Sequence, residues 1–346
     1  MPLPDPGPPS SWLKRCPTNP VLTADAVPYP ATLVFNAGVT RFGGRYVCVF
    51  RNDHGRDGDP LFDGTNLGLA YSEDGLDWSV EPEPLLGVPE ARAMLAPHYP
   101  AEGFEEEVIR FYDPRLVVLE GRLLLCFAID TRHGLRSGIA AATKDDLSAW
   151  EVLHLTAPDS RNLVLFPEKV GGRYLRLERP MNEYGDAKLN PGKYALWASG
   201  SPDLRHWGGT RLVLTAEQVA YANDKIGPAA PPIRTDAGWL CLFHAVSVDP
   251  GKGKNGWEPR WQKRYDCGVM LLDLEDPTRV VARAQQPLLV AETPEEREGF
   301  RNDVVFPTGL VELPDGRARV YYGAADTVLC AAEARIEDLV AFCHHG

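Results

Sequence analysis

No apolar run in this chain approaches the roughly 18–20 residues needed to cross a bilayer, so no membrane partner is expected. Basic blocks are equally scarce. The chain sets 36 Lys and Arg against 48 Asp and Glu, a formal net charge of −12. A nucleic-acid partner would need a basic stripe, and that class is set aside. Anionic substrates stay open, because local basic clusters hold phosphate within acidic proteins. Cysteine pairing signals are missing too: the seven Cys are odd in number and form no CxxC. Five of them (Cys48, Cys126, Cys241, Cys267, Cys330) fall in strand-like runs. They read as buried free thiols of a reducing compartment, with the cytoplasm as the expected location. Neither His clusters nor carboxylate-rich calcium loops occur, so no metal is expected. The start, MPLPDPGPPSSW, lacks the basic and apolar regions of a signal peptide. It reads as a Pro-rich arm over 1–18, ordered or loosely packed, before a single domain over 19–346.

Helical periodicity is nearly absent as well, with only 215–222 and 335–342 looking helical. What the chain has instead is a repeat. A turn ending in Gly leads into a short β-branched, aromatic and Leu-rich run five times: GGRYVCVFR (43–51), EGRLLLCFA (120–128), GGRYLRLER (171–179), AGWLCLFHA (237–245) and DGRARVYYG (315–323). Each reads as a hairpin turn entering a central strand. A second run follows each copy: LGLAYS, SGIAAAT, YALWAS, CGVMLLDL and VLCAAEA. Three of these lead into Asp-containing turns that end on Trp78, Trp150 or Trp207, read as structural. The copies start 51 to 78 residues apart, which suits a four-stranded blade with loops of varied length. The 31 Pro and 32 Gly fit many short strands. The pattern predicts an all-β, five-bladed β-propeller with a central funnel, over a two-domain β protein.

Ligand sites of propellers favour the concavity where inner strands converge. Polar residues inside short apolar runs near the blade beginnings are therefore the candidates. They are Asn36 with Arg51, Asn52, Asp53 and His54; Tyr112, Asp113 and Arg115; Arg161, Asn162, Glu168, Lys169 and Arg179; Asp224, Lys225, His244 and Tyr265; and Asn302, Asp303 and Asp326. Each has a bland reading beside the functional one. Asp-Pro-Arg is commonly a turn with a surface ion pair. His244 on an apolar strand reads first as a core histidine, and Asp224–Lys225 as a solvated pair. Recurrence at equivalent places in successive blades lifts the set above that reading.

Several ordered segments carry a resemblance: FNAGVTRF, YDPRLVVLEGR, NLVLFPEKVGGRY, GVMLLDLEDP, NDVVFPTG and YYGAADTV. From about Asn19 to Leu339 the chain resembles the β-mannoside phosphorylases of glycoside hydrolase family 130, whose known members are five-bladed propellers. DTRHGLR, NDKIGPAAPP and KNGWEPRW make it look most like the mannosylglucose phosphorylase branch. The resemblance implies inverting phosphorolysis of a terminal β-1,4-linked mannoside to α-mannose 1-phosphate, with inorganic phosphate as co-substrate and no cofactor. It implies Asp113 as the single catalytic acid, its proton reaching the glycosidic oxygen through the mannosyl 3-hydroxyl. Phosphate is already an anionic nucleophile, so the second carboxylate of an inverting hydrolase is dispensable. By resemblance the phosphate pocket is Arg161, Asn162, Arg179 and Tyr265, with Lys225 as a further contact. The sugar would be held by Asn36, Arg51, Asp53 and Asp326, with His244. On the acceptor side stand Tyr112, His133 and the loop Lys252–Trp261.

An acid working near neutral pH is expected to have a raised pKa, unless Arg115, on the same strand face if the segment is extended, lowers it. The alternatives are an inverting β-mannoside hydrolase on the same fold and, from another class, a non-catalytic carbohydrate-binding propeller. The partners expected are a small oligosaccharide and phosphate, with the Pro-rich arm a candidate contact in a homo-oligomer.

Overall fold

The computed structural model describes residues 12–55, 64–98, 108–181, 194–250 and 261–346. Among these, the strands form five antiparallel sheets, the blades of a propeller. From the axis outward, blade I is Leu33–Phe42, Arg45–His54, Gly64–Ser72 and Ser79–Val80. Blade II is Val108–Leu119, Arg122–Thr131, Gly134–Ala142 and Trp150–Leu155. Blade III is Ser160–Leu165, Tyr174–Pro180, Leu196–Ser201 and Gly208–Leu214. Blade IV runs from Lys225–Pro228 through Gly238–Val248 and Lys263–Leu272 to Val280–Arg283, with Ile233–Thr235 also paired to its second strand. Blade V is Val305–Glu312, Arg317–Ala324, Val328–Arg335 and, outermost, Lys14–Arg15.

The five Gly-led repeats are the second strands of their blades, and the runs after them are the third strands. Two-residue turns make the inner hairpins of blades I and II: Gly43–Gly44 sits at φ 61° and 86°, Glu120–Gly121 at 52° and 78°. Two left-handed residues give a hairpin turn whose twist matches its strands. The second strands are buried between sheets. Val47 and Val49 of blade I pack in one cluster with Leu123 and Leu125 of blade II, and Leu177 of blade III with Cys241 and Phe243 of blade IV. Each such side chain contributes about 1.5–3 kcal/mol of burial. The Trp turns are structural, as read. Trp150 Nε1 donates to Leu147 O (2.9 Å) and Trp207 Nε1 to Leu204 O (3.0 Å), while Asp203 Oδ1 accepts from the Arg205 and His206 N–H groups.

Residues 1–11 of the arm expected over 1–18 lie outside the described residues, but the rest of it takes part in the propeller. Lys14 and Arg15 pair with Glu333 and Ala332, Leu13 is buried, and Trp12 packs on Phe342 at 5.9 Å. The chain's beginning thus supplies the outer strand of the last blade and closes the ring. Arg15 fastens it by a two-pronged bond to Glu296 (2.7 and 2.9 Å) and a contact to Glu292 (2.5 Å). The helix expected over 335–342 is present as Ile336–His345, whereas within 215–222 only the 3-10 turn Ala216–Gln218 forms. Not anticipated were the single helical turn Pro294–Arg297 and the helix Val88–Leu95. Pro89 stands in the first turn of Val88–Leu95, where its missing N–H is tolerated, and that helix buries only Ala91 and Leu95, too narrow a stripe for periodicity to reveal.

Candidate active site

Three inner strands carry the same irregularity. Register shifts fall between Phe35 and Gly38 in blade I, Tyr112 and Arg115 in blade II, and Arg161 and Val164 in blade III. At each shift stands a short polar residue in the left-handed region: Asn36 (φ 47°), Asp113 (54°) and Asn162 (60°). A bulge breaks the alternation of the strand and re-aims a side chain. Asn and Asp tolerate left-handed backbone better than other non-glycine residues. In blade V the shift lies between Pro307 and Gly309, and the Thr308 hydroxyl donates to Ala37 O (2.7 Å). Strain is held at one level of the axis in successive blades, as functional sites commonly hold it.

Above this level lies one concavity. Nine of the twelve residues expected at the site line it: Asn36, Arg51, Asp113, Arg161, Asn162, Arg179, Lys225, Tyr265 and Asp326. Asp113, only 3% exposed, is held by donors alone. Its Oδ1 accepts from Asn36 Nδ2 (3.0 Å) and Arg51 Nη1 (3.2 Å), and its Oδ2 from Arg161 Nη2 (3.3 Å). Burial pushes its pKa up, but Arg51, Arg161 and Arg115 outweigh burial and hold the carboxyl below the usual carboxylate range. The expected raised value is therefore corrected: without ligand, Asp113 is an ionised carboxylate. Arg115 contributes by charge and not by contact. The bulge turns it so that Nη1 donates to the Asp113 carbonyl (2.7 Å) and Nε to Ala229 O (2.9 Å). Asp326 differs, its pKa raised by burial and by the Asp113 charge against the lowering pull of Arg301 and Arg51.

Opposite Asp113, positive charge is in excess. Arg161 and Arg179 are direct cross-strand partners in blade III, a like-charge pairing that normally destabilises a sheet. Arg179 is buried, and no carboxylate pairs with it among the described residues; its Nη1 bonds His244 Nε2 at 2.9 Å. Its Nε and the Asn162 Oδ1 are buried without a described hydrogen-bond partner. Burial and the Arg161 charge hold the Arg179 guanidinium down to about 10, against the raising pull of Tyr265, Tyr194 and Asp224. Lys225 is likewise lowered, by burial and then by Arg179 and Lys263. Tyr265 is raised by burial and stays a neutral donor. Unpaired donors and cations converging on one side of a cavity are the makings of an oxyanion site.

Three expected sugar ligands do not line the cavity. Asp53 is turned onto Arg51, making a bidentate pair at 2.9 and 2.6 Å, and its Oδ1 also accepts from Thr65 Oγ1 (2.9 Å). Tyr112 donates its hydroxyl to Asp130 (2.5 Å) and lies under the Arg51 and Arg161 guanidinia at 4.8 and 5.0 Å. His244 is fully buried and held neutral by burial and by Arg179, Lys225, Arg115 and Arg161. With Nε2 accepting from Arg179, it orients that guanidinium. All three act behind the arginines. Glu168 and Lys169 are remote, paired with Arg234 (3.1 Å) and Glu120 (2.7 Å). Asp224 binds Lys263 at 2.9 Å. His133 is exposed, and of the loop Lys252–Trp261 only Trp261 lies within the described residues.

The reading missed Arg301. It lines the concavity, bonds Asp326 at 3.0 Å and lies over the Trp261 ring at 4.7 Å. It stands directly before the Asn302–Asp303 pair that drew attention instead, and nothing local distinguishes it.

A concavity on a propeller, holding a buried carboxyl beside a cluster of Arg161, Arg179 and Lys225, has the make-up of a carbohydrate-active enzyme of the glycoside-cleaving class. The chain belongs to glycoside hydrolase family 130: the family model described as beta-1,4-mannooligosaccharide phosphorylase matches residues 11–345. The 1,2-beta-oligomannan phosphorylase of Thermoanaerobacter sp. is 28% identical over 94% of this chain and 98% of its own. The beta-1,4-mannooligosaccharide phosphorylase of Ruminococcus albus is 29% identical over 94% and 89%. In structure, the beta-1,2-mannobiose phosphorylase of Listeria innocua, solved with beta-1,2-mannobiose, aligns with TM-score 0.76 at 23% identity, covering 96% of this chain and 99% of that one. The curated relatives are phosphorylases of β-mannosides, and those of the β-1,2 and β-1,4 linkages stand at 28% and 29% identity alike.

Proposed function

We propose that this enzyme catalyses inverting phosphorolysis of terminal β-1,4-linked mannosides, mannosylglucose or short mannooligosaccharides, to α-mannose 1-phosphate and the acceptor sugar. The observation that carries phosphate as nucleophile is the cross-strand pair Arg161 and Arg179. With Lys225 and Asn162 beside it, this is a cationic pocket with too little carboxylate to neutralise it. A site built for water has no use for it and would need a second carboxylate free to act as base, whereas the second carboxylate here, Asp326, is paired with Arg301 at 3.0 Å. The β-1,4 linkage is supported by the NDKIGPAAPP resemblance, a segment that forms the inner strand of blade IV and carries Lys225.

In this reading a phosphate oxygen attacks the anomeric carbon, and the bond to the acceptor oxygen breaks with its electron pair. That oxygen receives a proton originating on Asp113 and relayed by the mannosyl 3-hydroxyl. The hydrogen phosphate's own proton, released as the monoester forms, restores Asp113, so a turnover is proton-neutral. Asn36 and Arg51 hold Asp113, while Asp326 and Arg301 offer an acceptor and a donor to sugar hydroxyls.

The test is incubation with β-1,4-mannosylglucose, β-1,4-mannobiose and β-1,2-mannobiose, with and without phosphate, assaying mannose 1-phosphate. Phosphate-dependent product from the first two and not the third is expected. Free mannose formed equally without phosphate would make the enzyme a hydrolase, and product from the third alone would overturn the linkage.

A further inference from the structure

Asp113 and the anion pocket share one side chain. Arg161 Nη2 touches Asp113 Oδ2 at 3.3 Å, while its strand position sets it directly against Arg179. The second arginine on Asp113 is not free in this way. Arg51 is clamped by Asp53 at 2.9 and 2.6 Å and sandwiched by the Phe35 and Tyr112 rings at 4.7 and 4.8 Å. The Arg51 side chain is 10% exposed, that of Arg161 29%. Among the described residues Arg161 contacts no other carboxylate, and its bond to Asp113 is long for a charge-assisted one.

We propose that Arg161 couples the nucleophile to the acid: an anion in the pocket engages Arg161, withdraws it from Asp113 Oδ2, and only then does Asp113 take up its proton. This rests on the phosphorolysis reading. The physical logic is that a carboxylate surrounded only by donors has nowhere to keep a proton. Facing Asp113 are Asn36 and Arg51 from blade I, Arg161 from blade III, Arg115 on its own strand, and Asp326 with Arg301 from the blade V side. Of these, Arg161 is the one cation that also lies against Arg179, where a dianion would sit. A tetrahedral dianion between Arg161, Arg179 and Lys225 compensates the positive field that keeps Asp113 ionised. The consequence is an interlock. A mannoside that enters an empty funnel meets an ionised Asp113 with no proton to give, so it waits for phosphate and is not hydrolysed.

Sulfate is the probe, because it is a tetrahedral dianion that neither reacts nor titrates near neutral pH. The wild-type enzyme is titrated with sulfate, following binding by calorimetry and the carboxylic-acid C=O stretch by infrared difference spectroscopy. A protonated-carboxyl band is expected to appear with sulfate and to vanish in Asp113→Asn. In Arg161→Gln, the band is expected before sulfate is added and to grow no further. Linkage gives a second readout. Between the free and bound pKa values of Asp113, the sulfate Kd rises up to about tenfold per pH unit, and Asp113→Asn flattens that slope. Sulfate binding without a band overturns the coupling while leaving phosphorolysis standing. A slope unchanged in Asp113→Asn assigns the proton to Lys225 and overturns it too. No sulfate binding at all overturns both the coupling and the pocket.

Discussion

Replacing Arg179 with Met should make the ligand-free protein more stable and the enzyme worse, and the two effects have calculable sizes. Arg179 is buried, and burial together with Arg161 holds its guanidinium to about 10 against an ordinary 12.5. That difference corresponds to roughly 3 kcal/mol. Because the folded value lies below the unfolded one, the penalty is in force at every pH under about 10 and is relieved only above it. Arg179→Met keeps the stem and removes the charge. It also strands His244 Nε2, which accepts from Arg179 at 2.9 Å, and an orphaned buried acceptor costs about 1–3 kcal/mol. The net expectation is a stability gain of order 1 kcal/mol, read by urea unfolding at neutral pH without phosphate. With phosphate at a hundredfold its Kd, the wild type should gain about 2.7 kcal/mol, a gain the variant largely loses. Removing charge-assisted bonds worth about 1.5–3 kcal/mol should raise the KM for phosphate roughly 10- to 150-fold, with little change in that for the sugar. A variant that is less stable without phosphate and keeps its phosphate KM would refute the argument and make Arg179 a structural residue.

Asp113→Asn should lower turnover by roughly 10²–10⁴-fold while sugar binding, followed calorimetrically, persists. Its folded pKa is depressed, so the stability Asp113 contributes is present above the unfolded value near 4 and is lost only as pH falls below the usual carboxylate range. The urea midpoint gap between wild type and Asp113→Asn should therefore be constant from pH 8 to 5; a gap closing by pH 6 would mean the carboxyl is not ionised. His244→Leu should raise the phosphate KM, and His244→Gln, whose amide oxygen can accept from Arg179, should restore much of it; equal effects on sugar and phosphate would return His244 to the sugar side. Arg15→Ala leaves the fully buried Glu296 side chain without its cation and should cost about 3–5 kcal/mol in urea unfolding, whereas a loss near zero would mean the outer strand of blade V closes the ring without it.

The blades were legible because their signals are local. Gly44 and Gly121 mark turns that must adopt positive φ, and each is followed by a run of strand residues, so second and third strands could be located without knowing their neighbours. The site residues were legible for a related reason: Asn36, Asp113 and Asn162 interrupt apolar runs near the beginnings of successive blades, and that recurrence outweighs the bland reading each has alone. Their equivalence as bulges was not visible, since a bulge is defined by the register of the partner strand. Asp53 was placed on the sugar, beside Arg51, by the family resemblance. Packing decided instead that Arg51 folds back over it. His244 looked like a ligand or a core residue and is an orienter of Arg179, a role set by blade III meeting blade IV. The segment Lys14–Arg15 carries no strand signal of its own; pairing with Glu333 and Ala332 makes it a strand.

What the sequence by itself determined is the repeat: the strand-like runs, the turn chemistry that leads into them and the polar residues within the inner strands, all properties of neighbours along the chain. What only the tertiary structure decided is the protonation state of the acid. Asp113 takes its contacts from Arg51 and Arg161, in two other blades, and electrostatic energy depends on distance and burial, not on separation along the chain.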